Sequence, residues 1–134
     1  MQKRNKYGNR NFVDQQGIRW DSEKEYNRYV ALREAEADGR IQGLQRQVVF
    51  TLLSAVTEEQ TVQLKTKTKT VTKTAQHPVT YRADFVYTKD GQQIVEDVKG
   101  SPRMLTKEYL IKKKFMRGLF GIKIKEVYEP TDEI

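Results

Sequence analysis

Asp97 and Lys99 stand two apart in Gln93 to Lys99 (QIVEDVK), a run of strand-forming composition closed by Gly100. Strand side chains alternate, so Val95, Asp97 and Lys99 share one face and Ile94, Glu96 and Val98 the other. Asp97 and Lys99 then lie roughly 6–7 Å apart along the strand. Upstream, Tyr81 to Tyr87 (YRADFVY) sets Arg82, Asp84 and Val86 against Tyr81, Ala83, Phe85 and Tyr87. Asp90-Gly91 is a hairpin signal, which makes the two runs antiparallel neighbours. Asp84 can then lie beside Asp97. Two carboxylates facing a lysine suit a hard cation such as Mg²⁺, with Mn²⁺ as a substitute, held by oxygen ligands beside a phosphate. The cation polarises the phosphate, and the lysine orients or deprotonates the attacking water. Without a cation, adjacent buried carboxylates repel at a cost of ~1 kcal/mol or more. The plainer reading is a Lys–Asp ion pair on a wet sheet face, worth ~0–1 kcal/mol.

The elements that would carry these groups can be read from pattern. Asp21-Ser22 opens a helix running to about Asp38, stopped by Gly39, with Tyr26, Tyr29, Val30 and Ala37 expected toward the core. Gln47 to Leu53 reads as a buried strand. A helix from about Arg103 to Leu119 follows Gly100, with Ile111, Phe115 and Leu119 at helical spacing and Lys112, Lys113 and Lys114 on its exposed side. Ile122 to Tyr128 alternates as a last strand. The order is helix, three or more strands, helix, strand, a mixed α/β (α+β) class. One domain is expected over residues 1–134. A basic arm occupies 1–16, with Tyr7 and Phe12 as its apolar anchors among the first dozen residues, and an acidic tail occupies 129–134. Residues 56–78 read as an exposed Lys/Thr hairpin arm, with Lys65, Lys67 and Lys69 on one face at period two.

Charge narrows the partner. The chain carries 25 Lys and Arg against 18 Asp and Glu, a formal +7, and all four charges after Lys125 are acidic, leaving +11 on residues 1–125. A basic body favours an anionic partner, nucleic acid or a membrane surface. Lys65, Lys67, Lys69, Lys112, Lys113, Lys114 and Arg117 are candidate phosphate contacts, which would position DNA without reading bases. Surface solubility explains the same clusters equally well. The absence of Cys excludes disulfides and thiolate zinc sites, and the single His77, in a loop before Pro78, argues against a His-based metal nuclease, whose chemistry normally needs at least two imidazoles. No apolar run approaches a membrane span and no secretory segment is evident, so a cytoplasmic, soluble chain is expected.

Asp84 followed by Asp97-Val98-Lys99, on adjacent strands after a helix, resembles the PD-(D/E)XK nuclease superfamily. The segments KYGNR (6–10), GIRWDSEKEYNRY (17–29), YRADFVY (81–87), VEDVKG (95–100) and FGIKIKEV (120–127) look like a family of small phage-encoded endonuclease-like proteins. The resemblance implies a restriction-endonuclease-like αβββαβ core, a central mixed sheet flanked by helices with an inserted hairpin arm. It also implies Mg²⁺-dependent phosphodiester hydrolysis in a host cytoplasm, with relatives that cut branched recombination or repair intermediates. Ala83 stands where the superfamily's namesake has Pro. Glu25 matches the position at which the first helix often adds an acid to the metal site, and Gln47 lies close to where relatives carry an active-site Gln. Helical spacing stacks Glu25 with Tyr29 and Leu32 at the edge of the buried stripe. Ser22-x-x-Glu25 is equally a capping box, which needs no metal. Glu23 is the substitute for Glu25, and Glu96, on the face away from Lys99, is assigned a structural or surface role.

Three functions draw on these features. The first is an Mg²⁺-dependent endodeoxyribonuclease, working as a homodimer because symmetric cutting of two strands needs two sites. The second is a non-catalytic DNA-binding or recombination accessory protein. The third, an RNA binder, lacks the aromatic-rich surface strand that stacks exposed bases.

Overall fold

In the computed structural model, which describes residues 11–134, Asp14 organises the first ordered turn. Its carboxylate accepts hydrogen bonds from the Gln16 and Ile18 amides and from Trp20 Nε1. This pins strand β1 (Phe12–Val13) antiparallel to β2 (Arg19–Trp20). Residues 11–16 are therefore part of the fold, a correction to the reading of 1–16 as an arm; the basic run 1–10 lies outside the described residues. Helix α1 (Glu23–Ala37) starts at the Ser22 cap, whose hydroxyl accepts from the Glu25 amide, and Gly39 at φ +76° follows its end.

Six strands and a second helix complete the order: β3 (Gln42–Leu53), β4 (Val56–Gln63), β5 (Thr68–Gln76), β6 (Val79–Lys89), β7 (Gln92–Val98), a 3₁₀ turn (Pro102–Met104), α2 (Lys107–Phe120) and β8 (Lys125–Val127). The main sheet has the order β3-β6-β7-β8, with β6–β7 antiparallel and β7–β8 parallel. The molecule is thus α+β with a central mixed sheet and two helices. Asp90 and Gly91 both have positive φ, as the tight β6–β7 turn requires.

The chain divides into two compact units, one of residues up to Val48 with Ala83–Ile134, the other of Val49–Arg82. In the second unit β4 and β5 form an antiparallel ribbon, almost wholly exposed, with Lys73 opposite Glu58. Only Lys69 of the expected lysine row lies in a strand. Lys65 and Lys67 sit in the turn closed by the Leu64 amide on the Lys67 carbonyl, because the ribbon reverses there.

The first unit carries the core: Trp20, Leu32, Ala35, Ile41, Phe85 and Tyr87, with Tyr26, Tyr29 and Ile94 packed against them. Helix α1 covers the Glu96 face of the sheet. Its buried stripe is Glu25, Arg28, Leu32 and Ala35; Val30 and Ala37, expected inside, are exposed. The stripe escaped pattern reading because two of its members are charged. Arg28 forms a two-pronged pair with Glu96, both fully buried, with Nε–Oε1 and Nη2–Oε2 each at 2.8 Å. Tyr87 donates to the same carboxylate, and Arg28 also donates to the main-chain carbonyls of Pro130, Asp132 and Glu133. Glu96 is thus a core residue, which removes the surface option. The acidic end 129–134 docks through its backbone and is no loose tail.

Helix α2 covers the opposite, Asp97 face, burying Tyr109 and Met116. Ile111, Phe115 and Leu119 are instead about half exposed. The helix is rotated so that its Tyr109–Met116 edge meets the sheet. Consequently the three lysines do not share an exposed side: Lys112 pairs with Glu108 and Lys113 with Glu126 of β8, while Lys114 is exposed. Among the described residues, no helix is long and apolar enough to cross a membrane.

Candidate functional site

The last paired rung of the β6–β7 ladder is Phe85 opposite Glu96, and one step beyond it stand Asp84 and Asp97. There the ladder changes hands. The Val98 amide donates to Asp84 Oδ2 at 2.7 Å, which fixes that carboxylate beside β7. Gln47, at φ +52° in mid-β3, reaches into the same place. Its Nε2 donates to Glu25 Oε1 at 2.8 Å and approaches Asp84 Oδ1 at 3.4 Å. A non-glycine residue in the left-handed region costs of order 1 kcal/mol or more, and such strain clusters at functional sites. Carboxylates from α1, β6 and β7 thus converge on one end of the sheet, all within the first unit.

Lys99 follows β7 directly. Its amide continues the parallel ladder to the Val127 carbonyl, its Nζ meets Asp97 Oδ1 at 3.0 Å, and the same Nζ sits 3.8 Å from the centre of the Tyr109 ring. Tyr109 is held in turn by Glu126, whose Oε2 accepts from the Tyr109 hydroxyl at 2.6 Å and from Lys113 at 2.8 Å. Arg46, next to Gln47, stacks its guanidinium 3.5 Å from the centre of the Trp20 ring.

Burial, then the charge of Asp21, push the Glu25 carboxyl up to about 7 against the pull of Arg46 and Gln47. Asp84 is raised well above the usual range by burial, then by Asp97 and Glu25. Three carboxylates crowded at one place favour a proton, or a cation, among them. Glu126 is the contrast. Burial raises it, but its bonds to Lys113, Tyr109 and Tyr128 outweigh that and leave it low. Among the described residues no three Asp, Glu, His or Cys side chains form a ready-made cage for an ion. The donor set is nonetheless all oxygen, suited to Mg²⁺. Gln47 bridges two of the carboxylates and Lys99 holds the third.

Of the residues singled out from sequence, Glu25, Gln47, Asp84, Asp97 and Lys99 are brought together. Lys65, Lys67 and Lys69 lie in the other unit. Lys114 and Arg117 are exposed on α2, and His77 is exposed in its loop. Tyr109 and Arg46 went unread; the only signal for Tyr109 was its i, i+7 spacing to Met116.

Residues 4–128 match a family model described as a protein of unknown function, DUF1064. The chain belongs to the DUF1064 family. Searches of curated proteins and of solved structures gave no match. The DUF1064 region contains every residue of the cluster, from Glu25 to Lys99, together with Tyr109 and Glu126, so the site lies wholly inside the family's span.

Proposed function

We propose that this DUF1064 chain is a divalent-metal-dependent endodeoxyribonuclease of the PD-(D/E)XK type. The observation that carries the reading is the meeting of Glu25, Asp84 and Asp97, from three elements, with Lys99 at the splayed end of β6 and β7. A structural ion pair would need only Asp97 and Lys99; it gives no reason to crowd two further acids beside them. The helix–sheet–helix order, with a parallel β7–β8 edge, supports a restriction-endonuclease-like core.

On this reading Glu25, Asp84 and Asp97 hold Mg²⁺ or Mn²⁺, which when bound supplies charge neutralisation at the scissile phosphate. Gln47 fixes the orientation of Glu25 and Asp84 by donating to both. The Val98 amide keeps Asp84 from swinging out. Lys99, clamped between Asp97 and the Tyr109 ring, donates to the attacking water and offsets charge growing on the phosphate. The basic surface recruits DNA through its backbone. Branched DNA is the proposed preference.

A cleavage assay tests the proposal, comparing supercoiled plasmid, linear duplex and a four-way junction with Mg²⁺, Mn²⁺ or EDTA. Cutting should require metal and fall by roughly 10²-fold or more in Lys99→Ala. If DNA is bound equally by wild type and variant but never cut, the protein is a DNA-binding accessory factor instead.

A further inference from the structure

Arg46 and Gln47 are consecutive on β3, so a regular strand would turn them to opposite faces. Instead both reach the same neighbourhood. Gln47 donates to Glu25 of α1, while the Arg46 guanidinium lies 3.5 Å from the centre of the Trp20 ring and 5.4 Å from that of Tyr29 of α1. The left-handed backbone at Gln47, φ +52°, breaks the alternation and brings the two side chains together. Trp20 is itself fixed, since its Nε1 donates to Asp14 Oδ2 at 2.9 Å. The guanidinium so held has no acid of its own. Its Nε is buried without a hydrogen-bond partner, and its two Nη atoms reach solvent with none among the described residues. Asp14 and Glu25 are near enough to feel its charge. Asp14, however, is engaged by the Gln16 and Ile18 amides and by Trp20, and Glu25 by Gln47. Lys99, the cation on the other side of the cluster, is already paired with Asp97.

We infer that Arg46 holds a backbone phosphate of DNA beside the acid cluster, its fork oriented by the Trp20 and Tyr29 rings. Stacking on an aromatic ring leaves the N–H edge of a guanidinium free, and that planar edge matches two phosphate oxygens. The inference rests on the nuclease reading for the identity of the anion. On that reading the charges also balance. Three ionised carboxylates, Lys99 and one divalent ion sum to no net charge, and an entering phosphodiester brings one negative charge that Arg46 answers. Arg46 thus binds and places the strand, and Lys99 serves the water. An unpaired cation used only to pack β3 against Trp20 would gain nothing from its charge, and an uncharged side chain would stack there as well.

The test is binding of a four-way junction in EDTA across a salt series, then single-turnover cleavage with Mg²⁺, for wild type, Arg46→Met and Arg46→Lys. Arg46→Met keeps an apolar stack on Trp20 and removes the charge. It should bind about tenfold more weakly, and its log–log salt slope should fall by about one. In cleavage its loss should appear below saturation and largely vanish at saturating DNA. Arg46→Lys should keep the slope yet bind more weakly than wild type, because an ammonium has no fork. Mn²⁺ should bind both variants no more weakly than wild type, as expected of an intact acid cluster. Arg46→Met with wild-type affinity and slope overturns the inference, and so does Arg46→Lys that binds as tightly as wild type; if Arg46→Met does not fold, Arg46→Lys decides alone. A wild type that binds no DNA overturns both the inference and the nuclease reading. Binding that loses one unit of slope in Arg46→Met, with no cleavage by wild type, keeps the phosphate contact and overturns the nuclease reading alone.

Discussion

Glu25 titrates near neutrality, and that ties the stability of the molecule to pH. Its carboxyl is raised from 4.5 to about 7 on folding, so the folded chain keeps a proton that the unfolded chain releases. Stability from this group is full below about pH 4.5, falls as pH rises, and is gone above about 7. Asp84 acts in the same sense. In EDTA the melting temperature should therefore be higher near pH 5 than near pH 8, and Glu25→Gln should shrink that difference; equal slopes in the two proteins would remove the assignment. On the far face of β7 the Arg28–Glu96 pair is fully buried, so Arg28→Ala strands a charge and should cost about 3–5 kcal/mol by denaturant unfolding. The two faces differed in legibility. Asp97 and Lys99 were placed by period two within one strand, whereas Arg28 and Glu96 lie 68 residues apart and each alone looks like a surface charge.

At the scale of elements, local signals marked the ends well. Ser22, Gly39, Asp90-Gly91 and Gly121, which closes α2 at φ +67°, all do the work their residue types suggest. Strand lengths were less legible, since β3 starts at Gln42 and β6 at Val79, where side chains are largely exposed and hydrophobic pattern is weak. Helix α2 misled because its sequence carries two apolar stripes. Only the sheet decides that Tyr109 and Met116 face inward, leaving Ile111, Phe115 and Leu119 outside. That rotation also sets Tyr109 beneath Lys99. Tyr109→Phe keeps the ring and should retain most cleavage, while Tyr109→Ala removes the platform and should lower it by roughly tenfold under single turnover. Equal rates for both variants would show that the ring does not position the lysine.

The molecule as a whole carries +7, so the DNA binding proposed for it should fall steeply with salt. Replacing Lys65, Lys67 and Lys69 with alanine should weaken binding to all sequences alike and reduce the log–log salt slope by about one for each true phosphate contact. An unchanged slope would make the ribbon a solvated surface only. Glu25, Asp84 and Asp97 of the first unit are the proposed ion ligands, and calorimetric titration of Mn²⁺ into the metal-free chain tests that role most directly. Wild type and Lys99→Ala should both bind the ion, and Asp84→Asn should bind at least about tenfold more weakly. Binding that is undetectable in wild type, or equal in wild type and Asp84→Asn, would contradict the account.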